Sequence, residues 1–316
     1  MTRVLFSAGI PKAGLNRLES AGFELVPFSS PSGPGSLAAQ AADADAVLCL
    51  LTDRIDEAVL AAGSGRLRVV ANIAVGVDNI DLESARRHGV VVCNTPNVLD
   101  ETTADLTWAL ILMACRQTPA AEISLRAGRW SGWRIDGYLG RDVHGAVLGL
   151  VGWGGIAKAV ARRAAGFGMS VLHHARTPSG APGYVADLED LLASADIVSL
   201  HVPLTTETRH LIDARRLRLM KPTAVLVNTA RGPVVDEDAL SDALEANQLF
   251  AAGLDVYDGE PAVNPRLLAA PRAVLLPHVG SATVETRTAM AVAAADAIVR
   301  VLRGDPSLDR AARAQA

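Results

Sequence analysis

An arginine, a glutamate and a histidine follow three successive apolar segments in the second half of the chain. Arg231, Glu260 and His278 each come shortly after such a segment, beside glycine or proline. An arginine fork can hold a carboxylate at two points and polarise a neighbouring carbonyl. A histidine can give a proton to a carbonyl oxygen as hydride reaches its carbon, and a nearby carboxylate favours the protonated imidazole and orients the ring. The three residue types together indicate reduction of a carbonyl that has a carboxylate beside it.

Each of these residues alone also fits a structural role. Arg231 could form a surface salt bridge, Glu260 could lie in a solvated loop, and His278 could be a satisfied core histidine. The interpretation as one catalytic set requires secondary-structure elements that bring the three residues together. If the apolar segments are strands of one parallel sheet, their carboxyl ends meet at one edge, which is where open α/β sheets bind ligands.

A glycine-rich turn earlier in the chain predicts a dinucleotide site. Val147–Val151 reads as a buried strand, the turn Gly152-Trp153-Gly154-Gly155-Ile156-Ala157 follows, and a helical segment then leads to a second strand, Met169–His174. Glycines let the backbone turn sharply and approach a pyrophosphate, whose charge the free N–H groups of a helix start stabilise. A purely structural glycine turn is the alternative, but the strand–turn–helix–strand context favours dinucleotide binding.

Alternation of strands and helices runs through the chain and predicts the α/β fold class, with two doubly wound parallel-sheet domains. The strands after Gly145 are predicted at Val147–Val151, Ser170–His174, Ile197–His201, Ala224–Asn228, Ala251–Val256 and Ala273–Leu276. We expect a Rossmann-type dinucleotide-binding domain over residues 99–284. It is inserted into a discontinuous, flavodoxin-like substrate domain formed by residues 1–98 and 285–316, because the helical segment after Thr283 could return to the first sheet.

Composition restricts the function classes. The net charge of −4 and the pI near 6.0 provide no basic field for nucleic acid or an acidic membrane surface. The longest apolar run, Leu106–Cys115, is too short to cross a membrane. The three cysteines lie singly in apolar runs, as small core residues of a reducing compartment do, and they suggest neither disulfides nor a metal site. A soluble cytoplasmic protein with no metal is therefore expected.

The motifs carry a resemblance to a known family over nearly the whole chain. The chain resembles the D-isomer-specific 2-hydroxyacid dehydrogenases and, among them, the glyoxylate/hydroxypyruvate reductases. The matching stretches are LCLLTDRID, AVGVDNIDL, NTPNVLDETTADLTWALIL, the glycine turn, NTARG, LDVYDGEP and PHVGSAT. The GSAT ending of the last stretch and the segment RWSGW (Arg129 to Trp133) favour the glyoxylate/hydroxypyruvate branch.

The resemblance implies a role for each matching position. The catalytic residues would be Arg231, Glu260 and His278, and Asp255 would hold the carboxamide end of a nicotinamide. The other cofactor contacts would be Gly152, Gly154, Gly155, Ile156, Ala175, Arg176, Thr177, Val202, Pro203, Thr229, Ala230 and Gly280. Substrate would be bound by Leu51, Val75, Gly76 and Ser281 together with Arg231 and His278. The Val75-Gly76 backbone would receive the substrate carboxylate. A homodimer is implied too, because the region around Trp130 and Trp133 forms the dimer arm in related reductases.

The chain departs from the family pattern at two positions. Gly155 stands where the family usually has an arginine, which removes a positive charge near the pyrophosphate. At the end of the second strand, NAD-preferring members carry an acid that hydrogen-bonds the ribose 2′-OH, whereas this chain has Ala175-Arg176-Thr177. An acid would repel a 2′-phosphate, and an arginine and a hydroxyl attract it. NADP(H) is therefore the expected cofactor, with NAD(H) possible and Arg176 as a merely solvated loop residue the alternative.

Several alternatives stay open on the sequence. Within the family, the phosphoglycerate, formate and phosphite dehydrogenases are alternatives, and the physiological 2-oxo acid is not determined. The same fold also serves non-enzymatic dinucleotide-sensing corepressors.

Adjacent His173 and His174 face opposite sides of a strand, so the two side chains cannot bind one metal ion together.

Overall fold

The computed structural model describes residues 1–28 and 36–305, and within them the chain forms two compact units. One unit comprises the described parts of Met1–Leu99 and Ser281–Ala316, and the other is Asp100–Gly280. The end of the predicted substrate-domain range, residues 306–316, lies outside the described residues. Among the described residues, the helices are all too short or too polar to span a membrane.

The first unit is built on a parallel sheet of five strands in the order β2-β1-β3-β4-β5. This is the flavodoxin-like order, as predicted. The strands are β1 Arg3–Ser7, β2 Glu24–Phe28, β3 Ala46–Cys49, β4 Val69–Asn72 and β5 Val91–Cys93. Four helices connect them: α1 Lys12–Glu19, α2 Leu37–Ala41, α3 Glu57–Ala62 and α4 Leu82–Arg87.

Burial and capping explain why these segments take their conformations. Every residue of β3 and β4 is buried, as expected for central parallel strands covered on both faces. The carboxylates of Asp56 and Asp81 accept hydrogen bonds from N–H groups of the first turns of α3 and α4, which fixes where these helices begin. The last helix, α12 Val284–Leu302, begins at the cap Thr283 and packs on α1 and β4.

The second unit is built on a parallel sheet of six strands in the order β11-β10-β9-β8-β6-β7. They are β6 Val147–Val151, β7 Ser170–His174, β8 Ile197–Leu200, β9 Val225–Asn228, β10 Ala251–Leu254 and β11 Ala273–Leu275. Beyond β7, a single parallel bridge between His173 and Tyr184 takes the place of a further strand. The bridge, β7, β6, β8, β9 and β10 follow one another in the 3-2-1-4-5-6 order of a dinucleotide-binding domain, and β11 is added at the far edge. This order confirms the predicted fold class.

Helices cover both faces of this second sheet. They are α5 Asp100–Arg116, α6 Thr118–Arg126, α7 Gly155–Ala164, α8 Leu188–Ser194, α9 Ala214–Leu217, α10 Glu237–Glu245 and α11 Pro265–Ala269. One apolar cluster gathers α5 and α7 against the sheet around Trp108, and a second gathers α8 and α10 around Leu226. The strand order reverses between β6 and β8, so their carboxyl ends border the crevice where ligands bind in such sheets.

Candidate active site

The backbone around Arg231, just beyond β9, is braced by a buried asparagine. Asn228 donates from Nδ2 to the carbonyl of Arg231 at 2.9 Å and accepts from the N–H of Ala230 at 3.0 Å. At Gly232 a Cβ would lie 1.8 Å from the carbonyl carbon of Tyr257, so the chain after β9 presses directly on the chain after β10. Only a glycine permits this approach, which holds the Arg231 segment beside the segment that leads to Glu260.

Glu260 and His278 are hydrogen-bonded to each other. His278 Nδ1 lies 2.7 Å from Glu260 Oε2, and Glu260 Oε1 accepts the N–H of Tyr257 at 2.9 Å. His278 itself has φ of 52° and donates its N–H to the carbonyl of Asp255 at 2.9 Å. The structure therefore brings together two of the three predicted catalytic residues, at the ends of β10 and β11, with the imidazole oriented through one nitrogen.

The electrostatics of this pair favour an ionised carboxylate. Burial alone would raise the pKa of Glu260, but the hydrogen bonds from His278 and the Tyr257 N–H, with the charges of His278 and Arg231, more than offset burial and hold that pKa below its ordinary value. The side chains of His278 and Glu260 are 27% and 29% exposed, so the pair can be reached by a small molecule. Because Glu260 is anionic near neutral pH, it can stabilise a protonated imidazole.

Asp255 lies at the end of β10 and is almost completely buried. Its Oδ1 accepts the N–H of Val279 at 2.8 Å, which ties the loop after β11 to β10. Burial raises the pKa of Asp255 to about 6, although the hydrogen bond from Val279, the charge of His278 and the N–H of Gly280 lower it. Gly280 is itself buried, and its carbonyl accepts from Oγ1 of Thr103 at 3.3 Å.

The glycine turn lies between β6 and α7, at the point where the strand order reverses. Gly152 has φ of 101°, and a Cβ on it would lie 2.3 Å from the carbonyl oxygen of His201, so this turn also requires a glycine. Gly154 caps α7 without any side-chain hydrogen bond and has open space around it. The N–H groups of the first helical turn are thus left for an anionic group, which fits the pyrophosphate of a dinucleotide.

The remaining predicted cofactor positions lie around the same sheet edge. Val202 and Pro203 come after β8, one residue beyond its end. Thr229 and Ala230 follow β9, and Thr229 Oγ1 lies 3.0 Å from Oγ1 of Thr107 on α5. Ala175, Arg176 and Thr177 follow β7, where Arg176 and Thr177 are exposed. The carbonyl of Ala175 accepts from the Tyr184 hydroxyl at 3.5 Å.

The predicted substrate positions Leu51, Val75, Gly76 and Ser281 belong to the first unit. Around Val75 and Gly76 two asparagines hold backbone carbonyls: Asn94 Nδ2 donates to the Val75 carbonyl at 2.7 Å, and Asn72 Nδ2 donates to the Gly76 carbonyl at 2.9 Å. Asn72 is fully buried at the end of β4. These side chains turn the carbonyls of the loop toward the protein. Sequence reasoning did not select Asn72, Asn94 or Asn228, although an asparagine that ends an apolar strand is a usable signal for such bracing.

Other histidines of the second unit have structural partners. The ring of buried His173 stacks on Trp153 at 3.8 Å between centroids, with Nε2 2.5 Å from Oγ of Ser179. Sequence reasoning passed over His201, where burial lowers the pKa to about 3 and keeps the ring neutral, with Nε2 2.9 Å from Oγ of Ser199. Within residues 1–28 and 36–305, histidine, cysteine and acidic side chains form no group of three that could hold a metal ion.

Comparison with known proteins decides the family. The family model described as "D-isomer specific 2-hydroxyacid dehydrogenase, NAD binding domain" matches residues 108–280, which is more than half of the chain. The chain belongs to this family. As a D-isomer-specific 2-hydroxyacid dehydrogenase it is an NAD(P)-dependent oxidoreductase, and its cofactor is a nicotinamide dinucleotide.

Similar proteins cover almost the full length. A glyoxylate reductase of Thermococcus kodakarensis is 44% identical over 313 residues, which is 96% of this chain and 94% of the relative. A solved structure from Thermus thermophilus is 44% identical with a TM-score of 0.89, covering 96% of this chain and 97% of the other. An NADPH-dependent glyoxylate/hydroxypyruvate reductase of Sinorhizobium meliloti, solved with NADP and malonate, is 36% identical with a TM-score of 0.84, covering 96% and 92% of the two chains.

Proposed function

We propose that this dehydrogenase reduces a small 2-oxo acid, glyoxylate or hydroxypyruvate, to the D-2-hydroxy acid with NADPH. The observation that carries the proposal is the 2.7 Å pair of His278 and Glu260 at strand ends of a dinucleotide-binding sheet. Arg231 stands after the neighbouring strand and is close enough for its charge to lower the pKa of Glu260. The similarity to glyoxylate reductases supports this choice of substrate.

The chemistry assigns a separate task to each side chain. A bound reduced nicotinamide supplies the hydride. Glu260 occupies Nδ1 of His278, so Nε2 is the nitrogen from which the imidazolium gives its proton to the substrate's carbonyl oxygen. Arg231 holds the substrate carboxylate with its guanidinium. The anionic Glu260 can stabilise the imidazolium through its hydrogen bond to Nδ1, and it fixes the ring.

We assign substrate binding to the first unit as well. Residues 1–98 and 285–316 form the substrate domain in this proposal, and residues 99–284 form the dinucleotide domain. The N–H groups of Val75 and Gly76 would receive a carboxylate, because the carbonyls of Ala74 and Val75, which point the opposite way in the same two peptide units, accept from the Thr95 N–H at 2.9 Å and from Asn94 Nδ2 at 2.7 Å. Leu51 completes the proposed substrate contacts of this domain, and Ser281, which the proposed bounds place in the dinucleotide domain, adds one more.

The preference for NADPH rests on the residues after β7. That strand ends in His174, and Ala175-Arg176-Thr177 follow with no acid at the position that would hold a ribose 2′-OH. Arg176 is exposed, and its charge contributes to lowering the pKa of Glu207, after the hydrogen bonds of Glu207 to Thr205 and to its own backbone. The charge of Arg176 would attract a 2′-phosphate at this position. The remaining cofactor positions named above are proposed as contacts to the same dinucleotide.

We also propose a homodimer in the cytoplasm. The segment 123–139 exposes seven large hydrophobic side chains, a surface of the kind that pairs with another protein surface; they are Ile123, Leu125, Trp130, Trp133, Ile135, Tyr138 and Leu139. Sedimentation velocity of the purified chain tests this assignment, and a monomer at micromolar concentration would reject it. The three cysteines are buried and free, as suits a reducing compartment.

Replacement of His278 tests the function directly. The His278→Ala variant is expected to lose almost all glyoxylate-dependent oxidation of NADPH and to bind NADPH as the unmodified protein does. His210→Ala, which removes an exposed histidine of the same unit, is the matched control and should keep its rate. If His278→Ala retains most of the activity, the role given to His278 is wrong.

A further inference from the structure

The carboxylate of Asp100 fills the place where a side chain on Gly155 would begin. A Cβ built on Gly155 would lie 1.9 Å from Oδ2 and 2.8 Å from Cγ of Asp100. Asp100 is the first residue of α5, Gly155 is the first residue of α7, and these two helices pack on each other within the same unit. The position at which this family usually carries an arginine is therefore a glycine with an aspartate carboxylate against it.

Asp100 forms no ion pair within the described part of the chain. Arg162 and Arg163 of α7 form ion pairs with Glu101, and Arg163 also pairs with Asp105. Burial raises the pKa of Asp100, and the charge of Glu101 raises it further while Arg162 lowers it. The side chain is thus partly buried, and the charge of Arg162 offsets the effects of burial and of Glu101 only in part.

The start of α7 is also where the cofactor's pyrophosphate is expected. The cap residue Gly154 supplies no side-chain acceptor, so the first N–H groups of α7 and the positive end of its dipole attract anions. Asp100 places one anion beside these groups, and a pyrophosphate would place two more charges there. Like charges that lie close together repel each other, and the repulsion is stronger where burial excludes water.

We propose that Asp100 is an affinity-determining residue of the dinucleotide site, which weakens binding of the cofactor through its pyrophosphate. The family's arginine would attract the pyrophosphate at this point, and here the charge has the opposite sign. NADPH and NADH share the pyrophosphate, so Asp100 weakens both equally and leaves the choice between them to Arg176. Faster release of the spent cofactor is the expected consequence, because repulsion of a bound anion raises its dissociation rate. This inference rests on the proposed dinucleotide site but not on the proposed substrate.

Calorimetric titration of the folded protein with NADPH and with NADH tests the proposal. Asp100→Asn keeps the size of the side chain and removes the charge, and it should lower the Kd for both dinucleotides about fivefold to tenfold at low salt. The gain should shrink in concentrated salt, because added ions screen the repulsion. Asp105→Asn, on the same helix and paired with Arg163, is the matched control and should leave both Kd values unchanged. Asp100→Ser, which removes the charge and leaves a small polar side chain at the helix start, should reproduce the effect if Asp100→Asn unfolds.

A probe without a pyrophosphate separates this cause from a general change of the site. Adenosine 2′-phosphate should bind to Asp100→Asn and to the unmodified protein with the same Kd. An unchanged or higher Kd of Asp100→Asn for NADPH would overturn the role of Asp100 while leaving the proposed function intact. If the unmodified protein binds neither dinucleotide, the proposed function fails and this inference fails with it.

Discussion

Replacement of Glu260 by glutamine separates the charge of this residue from its position. The variant keeps an oxygen that can accept the Tyr257 N–H, and it removes the negative charge 2.7 Å from His278 Nδ1. Without that charge the imidazolium loses its stabilisation, and the enzyme should lose its proton donor at a lower pH. We therefore expect the alkaline limb of the kcat/KM profile for 2-oxo acid reduction to move to lower pH.

The size of this effect follows from the geometry. Both side chains remain more than a quarter exposed, so solvent screens the attraction between the two charges, and loss of the carboxylate charge should cost about 1 kcal/mol. Above the limb, kcat/KM should therefore fall about fivefold, whereas well below it the rate should stay near that of the unmodified enzyme.

The assay is the initial rate of NADPH oxidation with glyoxylate, measured from about pH 5 to about pH 9 in buffers of constant ionic strength. Glu245→Gln, which removes an exposed carboxylate on α10, is the matched control and should leave the profile in place. If Glu260→Gln loses activity by the same factor at every pH and its limb does not move, then Glu260 only positions the ring, and the electrostatic reasoning is refuted.

Three further predictions concern the scaffold, the cofactor and the buried acid. Gly232→Ala would place a methyl group 1.8 Å from the Tyr257 carbonyl carbon, so kcat should fall at least tenfold with NADPH affinity retained. An unchanged kcat would show that the close approach of Gly232 to Tyr257 does not position the catalytic residues. Arg176→Ala should reduce kcat/KM for NADPH about tenfold and leave that for NADH unchanged, and an equal effect on both would contradict 2′-phosphate binding by Arg176. Burial raises the pKa of Asp255 from 3.8 to about 6, so the folded protein binds this proton more tightly than the unfolded chain does. The resulting contribution to the free energy of unfolding is fully present below pH 3.8 and is lost as the pH rises through about 6. Asp255→Asn should therefore increase the free energy of unfolding by about 2 kcal/mol more at pH 8 than at pH 4, as measured by urea denaturation, and a pH-independent effect would contradict that pKa.

Predictions from the sequence were most successful where apolar strands are followed by titratable residues. All six strands of the second sheet were predicted, because their buried segments are continuous apolar runs bounded by glycine, proline or charged residues. Their ends are less well predicted: the strand expected over Ala251–Val256 ends at Leu254, and the one expected over Ile197–His201 ends at Leu200. Sheet pairing stops where the neighbouring strand stops, and this information is not local.

The contacts that support the site could not be predicted from the sequence alone. Asn228 holds the Arg231 carbonyl only because the loop folds back over three residues, and Asn72 reaches Gly76 in the same way. The contact of Asp100 with Gly155 joins residues that are distant in sequence and depends on how α5 packs on α7. That contact gives a physical account of the unusual glycine at position 155, because Asp100 leaves no room for a larger side chain unless it moves.

The stereochemistry of the product tests the central claim most directly. The purified protein, given hydroxypyruvate and NADPH, should oxidise the cofactor and form D-glycerate in equal amount. Separation of the product on a chiral column against both glycerate standards identifies the enantiomer. Formation of L-glycerate, or no oxidation of NADPH with either hydroxypyruvate or glyoxylate, would contradict the function proposed for this chain.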